Sequence, residues 1–179
     1  MRVVRSALVA ATSRTTPRYD FLTAGREILL RFEGSDQIGP GGWPIGNMIH
    51  QPSVEAELHK ALSALPSAQL YHCWELDAYT DDGEGVTASL TTPAGERTIR
   101  ARYLVGADGA RSPVRKASGI DFDDLNFEEP WLVVDVLVDD YSKLPTANLQ
   151  ICNPERPTTC VLMGEGRHRW EFMIKPGET

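Results

Sequence analysis

The sequence lacks the residue patterns that mark most metal-dependent, hydrolytic or simple nucleotide-dependent enzymes. Its three cysteines are far apart, and its four histidines form neither a cluster nor an i, i+4 pair, which argues against a zinc site. No G-x-S-x-G string is present, which argues against a hydrolase with a nucleophile elbow. The absence of a G-x-G-x-x-G loop argues against an ordinary dinucleotide-dependent dehydrogenase.

Positive charge and long apolar runs are also scarce. The formal net charge is −7, whereas proteins that bind nucleic acids usually present a basic surface. No stretch approaches the ~20 apolar residues that a membrane helix needs. The N-terminal run 7–11 is too short for a signal peptide, and an odd number of cysteines without such a signal is typical of reduced thiols. We therefore expect a cytoplasmic protein with no nucleic-acid or membrane partner.

Residue periodicity predicts an α/β fold that is α+β in part. A short helix is expected at 3–12, and a hairpin is expected from Tyr19–Leu22 and Glu27–Glu33. An amphipathic helix begins at Pro52 and ends at Pro66. The run of strands beyond Gly119 predicts a second lobe built on an antiparallel sheet. The other predicted strands are Gln69–Trp74, Glu75–Tyr79, Gly85–Thr91, Glu96–Ala101, Trp131–Val138, Asn148–Cys152, Thr158–Met163 and Arg169–Ile174.

The most informative stretch is Gly106–Arg115, which directly follows the apolar run Tyr103–Val105. We expect the apolar run to be a buried strand, the small residues to turn, and Ser112 to cap a helix that Pro113 opens. Gly119 suits the end of that helix, where the chain often needs a positive φ. A strand, turn and helix in this order present backbone N–H groups to an anionic ligand, although the same arrangement also occurs with no ligand.

This stretch resembles the Asp-Gly motif of the FAD-dependent aromatic monooxygenases, in which Gly-Ala-Asp-Gly is followed by Ser and then by Val-Arg. The segments 43–52, 129–135, 152–157 and 169–178 are similar to those of the 3-(3-hydroxyphenyl)propionate hydroxylase group, so the resemblance covers nearly the whole chain. The residues that match the Asp-Gly motif are Gly106, Ala107, Asp108, Gly109, Ser112, Val114 and Arg115.

The resemblance implies a division into two lobes and a reaction. A partial, Rossmann-like FAD-binding lobe would comprise residues 41–119, and an antiparallel-sheet substrate lobe would comprise residues 1–40 and 120–179. The activity implied is hydroxylation of a phenolic, phenylpropionate-like acid with FAD, NADH or NADPH, and O₂. Because the cofactor carries the chemistry in such enzymes, no catalytic residue is assigned.

Four residues are expected to contact or position FAD because of the resemblance. Gln51 would donate a hydrogen bond near the ribityl–pyrophosphate region. Asp108 is the motif carboxylate; a pyrophosphate would repel it, so it is expected to fix the turn or to pair with an arginine or a hydroxyl. Gly109 would allow a ligand to approach the backbone, and Arg115 would neutralise phosphate or pair with Asp108. From the residues alone, a solvated glutamine, a plain Asp-Gly turn and a surface arginine stay open.

Other charged residues are weaker candidates. Arg156, Arg167 and Arg169 are of the type that binds a substrate carboxylate, but surface charges on turns are the favoured interpretation. His168 has no partner that the sequence identifies.

Two features of the family pattern are missing, namely the N-terminal G-x-G-x-x-G unit and a later Gly-Asp motif. We therefore expect an internal piece of a longer enzyme that binds FAD weakly or not at all, because each hydrogen bond lost costs about 1 kcal/mol of affinity. The alternative is an inactive binding or interaction module. An uncovered sheet face and edge would favour a homo-oligomer or a covering partner chain.

Overall fold

A computed structural model describes residues 10–164 and 166–178 of the chain. The described residues fold into short helices and many strands, which confirms the mixed α/β class. Most of the predicted helix at 3–12 lies outside the described residues. The helices are α1 (Gln51–Ser63), α2 (Pro113–Ala117) and a 3-10 helix (Tyr141–Lys143). The strands are β1 (Ser13–Arg14), β2 (Arg18–Leu22), β3 (Ile28–Glu33), β4 (Met48–Ile49), β5 (Glu75–Asp81), β6 (Val86–Thr92), β7 (Gly95–Ala101), β8 (Trp131–Leu137), β9 (Asn148–Ile151), β10 (Thr158–Leu162) and β11 (Arg167–Met173).

The chain divides into two compact units. The six-stranded unit contains the residues up to Ala68 and those from Glu128 onward. The Asp-Gly unit is the continuous segment Gln69–Phe127. The chain therefore leaves the first unit once, builds the second, and returns.

The six-stranded unit is built on a sheet with the order β3-β2-β9-β10-β11-β8. The hairpin predicted at residues 19–33 is confirmed as β2 and β3, and its turn places Arg26 at a φ of +67°. Neighbouring strands are antiparallel except for β2 and β9, which run parallel, so the sheet is mixed where a purely antiparallel one was expected. The short strands β1 and β4 form a separate antiparallel pair.

The core of this unit includes polar side chains that are paired with one another. Asp20 is buried and accepts hydrogen bonds from the Arg31 guanidinium at 2.6 and 3.0 Å across the β2–β3 hairpin. Cys160 and His168 are fully buried on adjacent strands, with 3.1 Å between the thiol sulfur and Nε2 of the imidazole. His168 therefore has a partner that the sequence did not identify. In the observed pairing of β10 with β11, Cys160 lies opposite Trp170 and diagonally across from His168.

Helix α1 shows an apolar stripe but has no buried residue. It begins at Gln51 with Pro52 in its first turn, as predicted, and it ends at Ser63 before reaching Pro66. Leu58, in the middle of the stripe, and Leu65, just beyond the helix, are both exposed. The amphipathic pattern thus predicted the helix, but the side chains of the apolar stripe are at most half-buried.

The Asp-Gly unit contains the antiparallel meander β5-β6-β7, which agrees with the predicted strands. Val86 and Ala88 on its central strand are the unit's buried apolar residues among those described. The strand predicted at Gln69–Trp74 is wrong. Cys73 has a φ of +60°, which extended chain does not adopt, and the rings of Tyr71 and Trp74 stack with centroids 4.3 Å apart.

The segment Tyr103–Val105 belongs to none of the described strands and is not buried, so the expectation of a buried strand is wrong. The side chains of Tyr103 and Val105 are 80% and 83% exposed. Among the described residues, none hydrogen-bonds with the backbone N–H and C=O groups of this segment. A strand that is apolar on both faces is buried only when neighbouring strands and helices cover it, and the described residues supply none.

Candidate functional site

The Asp-Gly turn leads into α2 as the sequence predicts. Ser112 is buried and caps the helix, because its hydroxyl oxygen accepts a hydrogen bond from the Arg115 backbone N–H at 2.9 Å. Pro113 occupies the first turn, and Gly119 follows the helix with a φ of +68°. The helix is only five residues long, so this cap controls much of its geometry.

Asp108 holds the turn against the helix. One carboxylate oxygen accepts a hydrogen bond from the Ser112 hydroxyl at 2.5 Å, and the other accepts one from the Val114 backbone N–H at 3.1 Å. These contacts, with the Ser112 hydroxyl first, lower the pKa of Asp108 below its usual value. The carboxylate is therefore ionised at neutral pH and bonded within the turn, which agrees with the turn-fixing interpretation.

The free donors of this site lie in the turn and not at the helix. The N–H groups of Val114 and Arg115 at the helix N-terminus are already occupied, because they donate to Asp108 and Ser112. The backbone N–H groups of residues 109–111 have no hydrogen-bond acceptor among the described residues. Consecutive free N–H groups of this kind suit phosphate or hydroxyl oxygens.

Two glycines make the turn possible for different reasons. Gly109 has a φ of +81°, and a Cβ added there would meet nothing within 4 Å, so the space beside its backbone is open. Gly106 is crowded instead, because a Cβ there would lie 2.8 Å from the Cβ and Cγ1 atoms of Val114. Gly109 thus leaves room for a ligand, and Gly106 lets Val114 of α2 pack closely against the backbone of the turn.

Arg115 lies beside the turn without forming an ion pair with Asp108. Its Nη1 donates to the Ala110 carbonyl at 2.6 Å, and its guanidinium lies 4.7 Å from the centroid of the Phe122 ring. Its Nε is buried and has no hydrogen-bond partner among the described residues. The guanidinium contributes to the low pKa of Asp108 through its charge. Because this Nε is buried, a ligand oxygen cannot reach it in this conformation, and the guanidinium acts at the turn through its charge.

Gln51 lies in the other unit, at the start of α1. Its exposed side-chain amide donates to the Glu55 carboxylate at 2.7 Å, one helical turn further on. This bond uses one of the two N–H donors of the amide, so the predicted contact with FAD does not require Gln51 to give up Glu55. Its role as a cofactor ligand stays a prediction.

The arginines considered for a substrate carboxylate already have partners. Arg169 forms two hydrogen bonds with Asp135, at 2.7 and 2.8 Å, and the pair lowers the pKa of Asp135. Arg156 forms an ion pair with Glu178. These contacts agree with charges that are already paired. Arg167 and Arg169 lie in β11, however, and not on a turn as expected.

An open apolar cleft of about 710 Å³ lies within the Asp-Gly unit. Its walls combine the face of the β5-β6-β7 meander with the extended segment that leads into the turn, and Asp108 and Val114 line it as well. Across residues 10–164 and 166–178, no cluster of His, Cys, Asp and Glu is arranged to hold a metal ion. No helix in the same residues has the length and apolar character needed to cross a lipid bilayer.

A curated relative is similar to most of the chain in sequence. A 3-(3-hydroxy-phenyl)propionate/3-hydroxycinnamic acid hydroxylase of Klebsiella pneumoniae (strain 342) is 35% identical over 140 residues, which cover 77% of this chain and 25% of that protein. The chain thus spans about a quarter of the length of this curated relative.

Solved structures share the fold. The p-nitrophenol 4-monooxygenase PnpA from Pseudomonas putida DLL-E4 superimposes with a TM-score of 0.81 at 20% identity, over 96% of this chain and 44% of that one. Aklavinone-11 hydroxylase, solved with FAD and aklavinone, gives a TM-score of 0.68 at 27% identity, over 98% of this chain and 36% of that one. The family model described as "FAD binding domain" matches residues 9–178. The chain therefore belongs to this FAD-binding domain family.

Proposed function

We propose that the chain carries part of the FAD site of a flavoprotein monooxygenase that hydroxylates a phenolic, phenylpropionate-like acid with NADH or NADPH and O₂. The observation that carries the proposal is the row of free backbone N–H groups at residues 109–111, beside the charged guanidinium of Arg115. Because the chain belongs to an FAD-binding domain family, FAD is the ligand that we assign to these donors. FAD presents both phosphate and hydroxyl oxygens that such donors can bind.

Each residue of the turn has a definite part in this proposal. The backbone N–H groups of residues 109–111 donate to FAD oxygens, and the open space at Gly109 admits them. Arg115 offsets phosphate charge, whereas Asp108 stays bonded to Ser112 and Val114 and acts by positioning the turn. Gln51 adds a donor from α1. When bound, FAD would supply the redox chemistry between the nicotinamide and O₂.

The lobe assignment and the substrate are part of the same proposal. Residues 41–119 would form the FAD-binding lobe, and residues 1–40 and 120–179 the substrate-binding lobe. A phenylpropionate-like substrate is supported by the name of the 35% identical relative. A cytoplasmic location is supported by Cys73, Cys152 and Cys160, which are all free thiols.

Titration of the ¹⁵N-labelled chain with FAD, followed by NMR, tests the site even when binding is weak. We expect the largest amide shifts at residues 109–111. Gly109→Val fills the open space and should weaken the apparent Kd at least tenfold. Gly83→Val is the matched control, because Gly83 also has a positive φ of +84° and open space around it but lies in the β5–β6 turn.

The outcome also separates the proposal from its alternative, an interaction module that does not hold FAD. Amide shifts confined to residues outside the turn, or equal weakening by both valine variants, would contradict the assignment of the turn. No shift at millimolar FAD would favour the interaction module. Consumption of NADH or NADPH that depends on a phenolic acid, with FAD added, tests the reaction itself.

A further inference from the structure

The hydroxyl of Tyr79 joins the β5-β6-β7 meander to the last turn of α2. It lies 2.6 Å from Oγ of Ser118, the residue that follows the helix, and this Oγ donates to the Val114 carbonyl at 2.9 Å. Because Ser118 uses its hydrogen on that carbonyl, the hydroxyl of Tyr79 is the donor to Ser118. Tyr79 is half-buried on β5, and the proposed function assigns no part to it.

Val114 connects this end of the helix with the Asp-Gly turn. Its backbone N–H donates to Asp108 at 3.1 Å, and its side chain packs closely against Gly106. A helix of five residues has little stability of its own, so its position depends on the contacts at its two ends. Asp108 and Ser112 hold the first end, and Tyr79 holds the last one.

The position of α2 determines where the free N–H groups of the turn point. The Ser112 N–H donates to the Gly109 carbonyl at 3.1 Å, and Nη1 of Arg115 donates to the Ala110 carbonyl at 2.6 Å. Both carbonyls therefore point toward residues at the start of the helix. In a trans peptide the N–H that follows a carbonyl points the opposite way, so the N–H groups of residues 110 and 111 point away from α2.

We infer that Tyr79 is a positioning residue of the candidate FAD site. Its hydroxyl holds α2 in the position that directs the N–H groups of residues 110 and 111 toward the ligand. Tyr79 acts through Ser118 and Val114 and not by contact with the ligand. This role rests on the proposed function for the identity of the ligand, whereas the direction of the N–H groups is a property of the chain without FAD.

Residual dipolar couplings of the ¹⁵N-labelled, FAD-free chain measure the direction of each N–H bond. Tyr79→Phe removes only the hydroxyl, and we expect it to change the couplings of residues 110 and 111. Ser118→Ala should change the same couplings, whereas Ser118→Thr keeps a hydroxyl and should preserve them. Tyr71→Phe is the matched control, because the Tyr71 hydroxyl bonds to Gln69 in the same unit and not to α2. Couplings that Tyr79→Phe leaves unchanged would overturn the inference.

Titration of the same variants with FAD tests the link to the ligand. We expect Tyr79→Phe and Ser118→Ala each to weaken the apparent Kd about fivefold, close to what one neutral hydrogen bond contributes. The double variant should weaken it no further, because both changes remove one connection, and Tyr71→Phe should leave it unchanged. Additive losses in the double variant, or a wild-type Kd in Tyr79→Phe, would overturn the inference. Absence of amide shifts at residues 109–111 in the wild-type chain would instead overturn the proposed function, and the couplings would still decide whether Tyr79 positions the turn.

Discussion

At the residue scale, Cys160 and His168 form a buried pair in which both side chains are neutral. Burial raises the pKa of the Cys160 thiol to about 11, and burial together with the charge of Arg14 lowers the pKa of His168. A neutral imidazole accepts the thiol hydrogen at Nε2, which leaves its own hydrogen on Nδ1. That Nδ1 has no partner among the described residues. The pair therefore has one unsatisfied polar atom, and protonating the ring would add a buried charge.

Stability should consequently depend on pH through His168. Its pKa is lower in the folded chain than the ordinary value of about 6.5, so the unfolded chain binds the proton first. The free energy of unfolding should therefore fall as the pH is lowered below about 6.5. Urea unfolding between pH 7.5 and 5 measures this slope.

Two variants assign the slope to one histidine. His168→Gln removes the titrating group and should flatten the dependence on pH, even though the variant is less stable overall. His59→Gln changes an exposed histidine of α1 and should keep the wild-type slope. A slope that His168→Gln leaves unchanged would contradict this account.

At the scale of elements, α2 depends on its cap more than on its length. A helix of five residues is unstable in isolation, and Ser112 joins it to the turn through the bonds with Arg115 and Asp108. Ser112→Ala should lower the free energy of unfolding of the Asp-Gly unit by about 1 kcal/mol. Hydrogen exchange of the amides at residues 112–118 should accelerate.

The control for this change is Ser67→Ala, at an exposed serine outside the helices and strands. It should leave both measurements unchanged. Wild-type exchange rates at residues 112–118 in Ser112→Ala would show that the helix does not depend on this cap.

The sequence predicts elements well where the signal is local. The hairpin β2–β3 and the cap of α2 follow from alternation and from capping residues within a few positions. The two strands that were wrongly predicted depend on contacts with residues distant in the sequence or on backbone angles that the residue types do not indicate. The apolar run Tyr103–Val105 resembles a buried strand, but its burial depends on neighbours that the sequence of the run does not contain. The run at 69–74 contains no signal for the positive φ at Cys73.

The candidate site was predictable in position but not in detail. The Asp-Gly motif identified the turn and Ser112 as its cap. It did not show that Asp108 and Ser112 occupy the helix N–H groups, which moves the free donors to residues 109–111. The orphaned Nε of Arg115 depends on the stacking with Phe122, seven residues away, and no spacing rule predicts that contact.

At the scale of the whole molecule, the chain folds as two units joined by segments without regular structure. Residues 64–74 and 118–130 contain no helix or strand, and they flank the boundaries between the units. Limited chymotrypsin digestion should therefore cut first within 118–130, at Phe122, Leu125 or Phe127, which are all exposed. Mass spectrometry of the early products identifies the cuts.

Cleavage at Phe32 provides a comparison within the same digestion. Phe32 is also exposed, at 55%, but it lies in β3 and is paired with β2, so it should be cut late. Early cleavage at Phe32 at a rate equal to that at Phe127 would contradict the division into units with ordered sheets.

The contact between Gly106 and Val114 has a consequence for how this turn can vary among related proteins. Two positions eight residues apart share one small volume, because a methyl group at 106 would overlap Val114 at 2.8 Å. Because one of the overlapping atoms is the Cβ of Val114, which every residue except glycine has, shortening that side chain to alanine would not relieve the overlap. Related proteins that keep this turn geometry should therefore keep glycine at position 106.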